Sequence, residues 1–381
     1  MKIVFIISMS IFFWIYLGYP LFIFILSLLK NNEKKVRIDD FLPKVTIVIA
    51  VYNEERIIAD RIANCLESNY PKDKIQILIA SDGSDDKTVE IAKQYENMGV
   101  KVLDFKENRG KALVHNDCLS HIENEIVVFT DAETIFDKNF LLEIVSPFQN
   151  EKTGGVVGKL IYTKGVNQIA NAEGFYFRYE TKIRQWESKL SILVFGSGAC
   201  MAMRKKLFRK LTPIDDTDFT SLQDVIIQKY NVVFNKRALA YDFAPTTIRG
   251  EYKSRVRITA KNLVGTLKRW KVKNYFIHPF VTFGMISHRL LRWFTPYFLI
   301  LLFVSNYLIL DENLFFQITM ALQLLYYTIV FFGYVAQKQN VQIPLLGLSF
   351  SFFIANIGMF VGVLKGIFGR VPSFYVQKNL K

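Results

Sequence analysis

The hydropathic pattern divides the chain into two apolar ends and a mixed middle. Residues 3–29 contain no charged side chain. At ~1.5 Å per residue this run crosses a bilayer once but not twice, with a kink expected at Pro20. It is longer than the roughly 7–15 apolar residues of a secretory leader, and no small-residue cleavage site follows. Lys30, Lys34, Lys35 and Arg37 come next. Cations beside a span favour the cytoplasmic face, which predicts an anchor over residues 1–30 with its N-terminus outside. At the other end, residues 294–310, 314–336 and 341–364 are three further uncharged runs, giving a membrane region over 294–368. Residues 275–293 mix Phe276, Phe280, Phe283, Ile286 and Leu290 with His278, His288, Arg289 and Arg292. That mixture predicts an interfacial helix. A basic tail, 369–381, carries Arg370, Lys378 and Lys381 without an acid. Three crossings after a cytoplasmic domain would leave this tail outside, against the preference of its charges. One run is therefore expected to fall short of a full crossing, the short first run or the one broken by Pro344 being the weak point.

Between Lys30 and Lys273 the pattern alternates short β-branched runs with helical spacing. Strands are expected at 45–51, 75–80, 100–103 and 126–130. A helix over 55–69 places Ile58, Ile62 and Leu66 on one face. A second, capped by Asp85 or Asp86, carries Val89, Ala92 and Tyr95 and ends at Gly99. Such alternation predicts an α/β domain with a parallel sheet covered on both faces. Ligands of such sheets bind beyond the carboxyl ends of the strands. Here the four strands lead into Tyr52-Asn53-Glu54-Glu55, Ser81-Asp82-Gly83-Ser84, Asn108-Arg109-Gly110-Lys111 and Asp131-Ala132-Glu133. Together they suggest one composite site for a nucleotide diphosphate and a divalent cation.

Composition narrows the class. Hydrophobic residues make up 51% and charged residues 22%, which excludes disorder and an ordinary soluble enzyme. The net charge of +14 suits a cytoplasmic-side membrane protein or one that handles phosphates. The long apolar runs argue against nucleic acid as the partner. Cys65, Cys118 and Cys200 are odd in number, lack metal-ligand spacing and read as reduced thiols.

Asp131 and Glu133, at i and i+2 after an apolar strand, suit a hard cation that shares its shell with phosphates, or else an acidic turn. Asp82 before Gly83 suits a base or ribose, or a tight turn. Lys111 suits a phosphate, or a solvated helix start. Asp224 is read at the opening of an amphipathic helix, either as its cap or as a general base taking the proton of an attacking hydroxyl. Arg255 and Arg257 suit pyrophosphate or lipid headgroups.

The ordered set of motifs resembles the family 2 inverting glycosyltransferases, in particular the membrane-integrated synthases of cellulose, hyaluronan and poly-N-acetylglucosamine. It is carried by residues 48–55, 81–86, 108–111, 130–133, 195–199 and 223–224, within a domain over 43–270. The resemblance implies a GT-A (Rossmann-like) fold, a nucleotide-sugar donor that is most often UDP-linked, and Mg²⁺ or Mn²⁺. It implies a nucleotide site of Ala50, Tyr52, Glu54 and Asp82 with Lys111 near the diphosphate, a metal at Asp131 and Glu133, and a base at Asp224. Phe195, Gly196, Ser197 and Gly198 would adjoin a saccharide or lipid-linked acceptor. The sequence departs from the family at Ala50, where Pro is usual, at Glu133 and Gln223, and in the Q-x-x-R-W signature of processive members. Near that place only Arg255 and Arg257 remain. Transfer of a single sugar to a lipid carrier therefore stands beside polymer synthesis. The other readings are a sugar-phosphate nucleotidyltransferase, whose Gly-rich loop is missing, and a transporter with a regulatory nucleotide-binding domain.

Overall fold

The computed structural model describes residues 1–30, 41–163, 168–243, 247–270, 278–339, 341 and 343–371. Most of the basic tail and the start of the expected interfacial helix lie outside these residues.

The middle of the chain forms an eight-stranded sheet in the order β3-β2-β1-β4-β7-β6-β8-β5. Strands β1 (Val45–Val51), β2 (Ile75–Asp82), β3 (Val100–Phe105) and β4 (Ile126–Thr130) are parallel. Strands β5 (Ile135–Phe136), β6 (Thr153–Thr163), β7 (Met201–Arg204) and β8 (Asn231–Phe243) complete it. Strand β7 runs antiparallel to both β4 and β6, and β6 pairs parallel with β8. The expected parallel sheet thus covers only the first half, and the whole is mixed. Alternate residues of β1 feed two cores: Val48 packs on one face, and Val45, Ile47, Ile49 and Val51 on the other. Each such fully buried aliphatic contributes about 1.5–3 kcal/mol. Burial on both faces is why these strands read as continuous apolar runs.

After the N-terminal helix α1 (Lys2–Leu29), helices α2 (Ile58–Leu66), α3 (Thr88–Lys93), α4 (Lys111–Cys118) and α5 (Phe140–Val145) cover the sheet. The longer α6 (Gln168–Leu190), α7 (Thr217–Ile227) and α8 (Ile248–Trp270) complete the domain. All three cysteines are buried free thiols.

Helix α1 (Lys2–Leu29) is, among the described residues, one of three helices long and apolar enough to cross a membrane, with α11 (Leu314–Lys338) and α12 (Pro344–Ile367). It passes Pro20 by way of a π turn over Trp14–Gly18. Proline has no N–H for the carbonyl four residues back, and that carbonyl, of Tyr16, accepts the Tyr179 hydroxyl at 2.9 Å. Of the three C-terminal runs, the first makes only α10 (Thr295–Tyr307), 13 residues. That is about 20 Å of helix against the ~30 Å of a bilayer core. Before it lies α9 (Pro279–Met285), which continues through a π turn, Ile286–Leu290, to Trp293.

Helix α12 lies along α8. A Cβ on Gly358 would meet the Arg255 Cβ at 2.6 Å. On Gly362 it would meet the Thr259 Cβ at 2.7 Å, and on Gly366 the Ala260 carbonyl at 3.3 Å. Glycine at every fourth position lets the two backbones touch.

Candidate active site

The loops after β1, β2 and β3 are laced together by their own polar groups. The amide of Asn53 donates to Ser84 Oγ at 3.1 Å, that of Glu54 to Thr88 Oγ1 at 2.8 Å, and that of Asp85 to Asn53 Oδ1 at 3.0 Å. Tyr52, half-buried at the end of β1 after Ala50, flanks this lacing. Gly83 turns at φ +75°, and a Cβ there would lie 2.7 Å from the Asn108 nitrogen. The buried Asp82 carboxylate accepts the amides of Arg109 and Gly110, each at 2.8 Å. Its first task is therefore to hold the loop that delivers Lys111. A carboxylate has about four lone-pair sites, so capacity for a nucleoside remains.

Lys111 opens α4, and its ammonium pairs with the Asp131 carboxylate beyond β4. Burial lowers its affinity for a proton, but Asp131 together with Asp218 and Asp216 outweighs burial and the net shift is upward. Beneath the Asp131–Glu133 turn, the fully buried Arg61 donates to Thr130 Oγ1 at 3.0 Å and stacks 4.1 Å from the Phe136 ring centre. Nothing in the sequence pattern marked it.

Across the cleft, Asp218 sits in the first turn of α7 and accepts the Gly198 amide at 2.8 Å. Burial, reinforced by Asp216, raises its carboxyl to about 7, with Lys111 pulling the other way. A Cβ on Gly198 would lie 3.4 Å from Lys111 Nζ and 3.6 Å from the Asp218 Cβ. Lys111, Asp131, Gly198 and Asp218 thus meet in one place. His115 also lines the cleft, 2.9 Å from Thr217 Oγ1, and burial holds it far below its usual range, hence neutral.

Asp224 is elsewhere. Helix α7 begins seven residues before it, so Asp224 lies near the C-terminal end rather than at the opening. Arg269 grips both its oxygens, Nε–Oδ1 at 3.0 Å and Nη2–Oδ2 at 2.7 Å, and reaches Asp215 at 3.3 Å. Asp224 is 3% exposed and is not among the residues lining the cleft. The expectation that it faces an acceptor is corrected accordingly. The cleft instead holds Asp215, Asp216 and Asp218. The run Asp215-Asp216-Thr217-Asp218 before an apolar-periodic segment is a helix-start signal that would have found them.

Of the other expected residues, Ala50, Tyr52, Glu54 and Asp82 are not among those lining this cleft and stand at the ends of β1 and β2. Asp131, Glu133, Phe195, Gly196, Ser197, Gly198, Arg255 and Arg257 all line the same cleft. Arg255 also pairs with Glu251.

The sheet is GT-A-like, with an acid-and-lysine cleft at the carboxyl ends of its parallel strands. Residues 46–212 match the glycosyl transferase family 2 model, so the chain carries a family 2 glycosyltransferase domain. Over 275 residues it is 26% identical to a poly-beta-1,6-N-acetyl-D-glucosamine synthase of Staphylococcus epidermidis, covering 66% of this chain and 63% of that one. Over 244 residues it is 29% identical to the enzyme of the same name from Staphylococcus aureus (strain COL), covering 60% and 56%. The chain thus spans less than two thirds of the length of these relatives. Among solved structures, the mannosyltransferase PcManGT from Pyrobaculum calidifontis, in complex with GDP-Man and Mn²⁺, superposes with a TM-score of 0.71. The identity is 18%, over 96% of this chain and 99% of that one.

Proposed function

We propose that the protein is an inverting glycosyltransferase that moves a sugar from a nucleotide-sugar donor to a saccharide or lipid-linked acceptor, with Asp218 as the base. The observation that carries this reading is the meeting of Lys111, Asp131 and Asp218 around the Gly198 amide.

The acceptor hydroxyl oxygen bonds to the anomeric carbon from the face opposite the leaving group. The bond from that carbon to the diphosphate oxygen breaks, and the nucleoside diphosphate leaves with the electron pair. The hydroxyl proton passes to Asp218, whose raised value of about 7 suits proton acceptance near neutrality. The Gly198 amide fixes the direction of that carboxylate. Lys111 balances charge on the diphosphate, while Tyr52, Glu54 and Asp82, beside Ala50, hold the nucleoside. Arg255 and Arg257 face the cleft with Lys261, which lies one turn beyond Arg257, and add to the positive wall.

The donor set fits Mg²⁺ or Mn²⁺. One carboxylate, Asp131, already meets a cation, the Lys111 ammonium, and Glu133 lines the same cleft; no group of three metal-ligating side chains occurs among the described residues. Such ions are commonly held by one or two carboxylates plus substrate phosphates. When bound, the ion would neutralise charge on the departing diphosphate.

The homologous synthases support N-acetylglucosamine as the first sugar to test and polysaccharide as the product. The apolar helices and the cations after residue 29 support a multi-pass protein of the cytoplasmic membrane whose catalytic domain faces the cytoplasm. The test incubates the full chain in nanodiscs with UDP-N-acetylglucosamine, other UDP-sugars and GDP-mannose, with Mn²⁺, Mg²⁺ or EDTA. Transfer that needs the ion and inverts the anomeric configuration, read by NMR, is the expected result. Retention of configuration, or no transfer from any donor, overturns the proposal.

A further inference from the structure

One cationic group on the cleft wall has no ion-pair partner among the described residues. Arg184, on α6, is only 7% exposed and lines the cleft. Its guanidinium carbon lies 4.8 Å from the Phe195 ring centre and its Nε has no partner. Among the described residues it makes no hydrogen bond or ion pair. Beside it, the Arg289 guanidinium sits 3.0 Å from the same ring centre. The nearby acid, Glu180, is fully engaged by Arg292, by His288 at 3.3 Å and by Arg289 at 3.1 Å. A buried, unpaired guanidinium is costly in a fold. One kept on the wall of a cleft, next to a second, suits a bidentate oxyanion.

We infer that Arg184 and Arg289 form a second anion subsite, distinct from the donor diphosphate site at Lys111 and Asp131, that takes the phosphate of a lipid-linked acceptor. The inference rests on the glycosyltransferase reading and names the acceptor class for that site.

Two placements support it. Phe195 and Gly198 end one short loop, so their Cα atoms are at most about 11 Å apart. A phosphate held at Phe195 therefore puts a sugar attached to it within reach of Asp218, which Gly198 orients. The wall is also built by the helices that lead into the apolar region. Arg289 lies in the turn just before α10, and Tyr19 of α1 donates to Glu187 at 2.6 Å while His288 approaches the same carboxylate at 2.7 Å. A hydrocarbon tail leaving this end of the cleft meets the membrane helices, whereas a nucleoside belongs at the β1–β3 loops.

The test uses the full chain in phosphatidylcholine nanodiscs with three probes: farnesyl phosphate, farnesol and UDP with Mn²⁺. Farnesyl phosphate should bind at least about tenfold more tightly than farnesol, as expected for one charge-assisted contact. Arg184→Gln should weaken farnesyl phosphate by about tenfold, Arg184→Lys should recover part of the loss, and UDP affinity should stay within about twofold. If farnesol binds as well as its phosphate, the subsite does not read charge and the inference is overturned. If farnesyl phosphate displaces UDP and Arg184→Gln weakens UDP equally, the cation serves the donor diphosphate instead. Because the first comparison uses the unaltered protein, it decides the matter even if the variants fold poorly. Failure of UDP to bind the unaltered protein would strike the glycosyltransferase reading itself.

Discussion

Two aspartates six residues apart on one helix should separate chemistry from stability. Asp218→Asn keeps the size of the side chain and an oxygen for the Gly198 amide at 2.8 Å, so the cleft should keep its shape. It removes only the ability to take a proton. Loss of a positioned base costs about 10²–10⁴ in rate, or about 2.7–5.4 kcal/mol at ~1.36 kcal/mol per decade. Asp224→Asn acts differently. It removes the charge that Arg269 holds through bonds of 3.0 and 2.7 Å in a nearly closed environment. Breaking one side of a buried pair costs about 3–5 kcal/mol. The lower figure applies here, because Asp215 still faces Arg269 at 3.3 Å. The assay measures sugar transfer per folded molecule together with a urea or thermal melt in detergent. Asp218→Asn should lose transfer without losing stability. Asp224→Asn should lose stability and, while folded, transfer within a few-fold of the parent. The reverse outcome, an inactive but fully stable Asp224→Asn beside an active Asp218→Asn, would refute the assignment.

The remaining expectations concern charge. With the Asp218 carboxyl raised to about 7 by burial and Asp216, log kcat/KM should climb with unit slope below about pH 7 and then level off; a flat profile from pH 5 to 8 would count against a titrating base. Because the folded value lies above the unfolded one of about 3.9, ionisation disfavours the folded state as pH rises from about 4 to 7. Asp218→Asn should therefore be close to neutral in stability near pH 4 and stabilising near pH 7.5, read by urea melts at both. Glu180→Gln should cost about 3–5 kcal/mol, since Arg292 and Arg289 lose their carboxylate; an unchanged melting temperature would show that they find another.

How much could be read beforehand follows from what each element shows its neighbours. The sequence-based boundaries of β1 and β4 match the structure because a parallel strand buried on both faces is an unbroken apolar run between polar tips. Strands β6 to β8 escaped notice. Strand β7 has four residues, and β6 opens with Gly154 and Gly155, whose missing side chains make room for Leu207, Tyr230 and Leu222. The motif residues Lys111, Asp131 and Gly198 were legible by type, but the Lys111–Asp131 pair exists only once β1, β2 and β4 stand side by side. The resemblance implies a base at Asp224, which the pattern places at a helix opening. The helix begins earlier, and the side chain that reaches the cleft is the one in its first turn. Arg184 and Arg289 lie 105 positions apart, and no local pattern links them.

The glycine ladder of α12 has a mechanical consequence. Helix α8, which carries Arg255, Arg257 and Lys261 to the cleft, touches α12 backbone to backbone through Gly358, Gly362 and Gly366. The approach is close, with the Arg255 and Thr259 Cβ atoms and the Ala260 carbonyl against the glycines, and α12 is an apolar span candidate. The positive wall of the cleft is thereby tied to a span candidate, whereas the loops beyond β1, β2 and β3 are held to one another by their own hydrogen bonds.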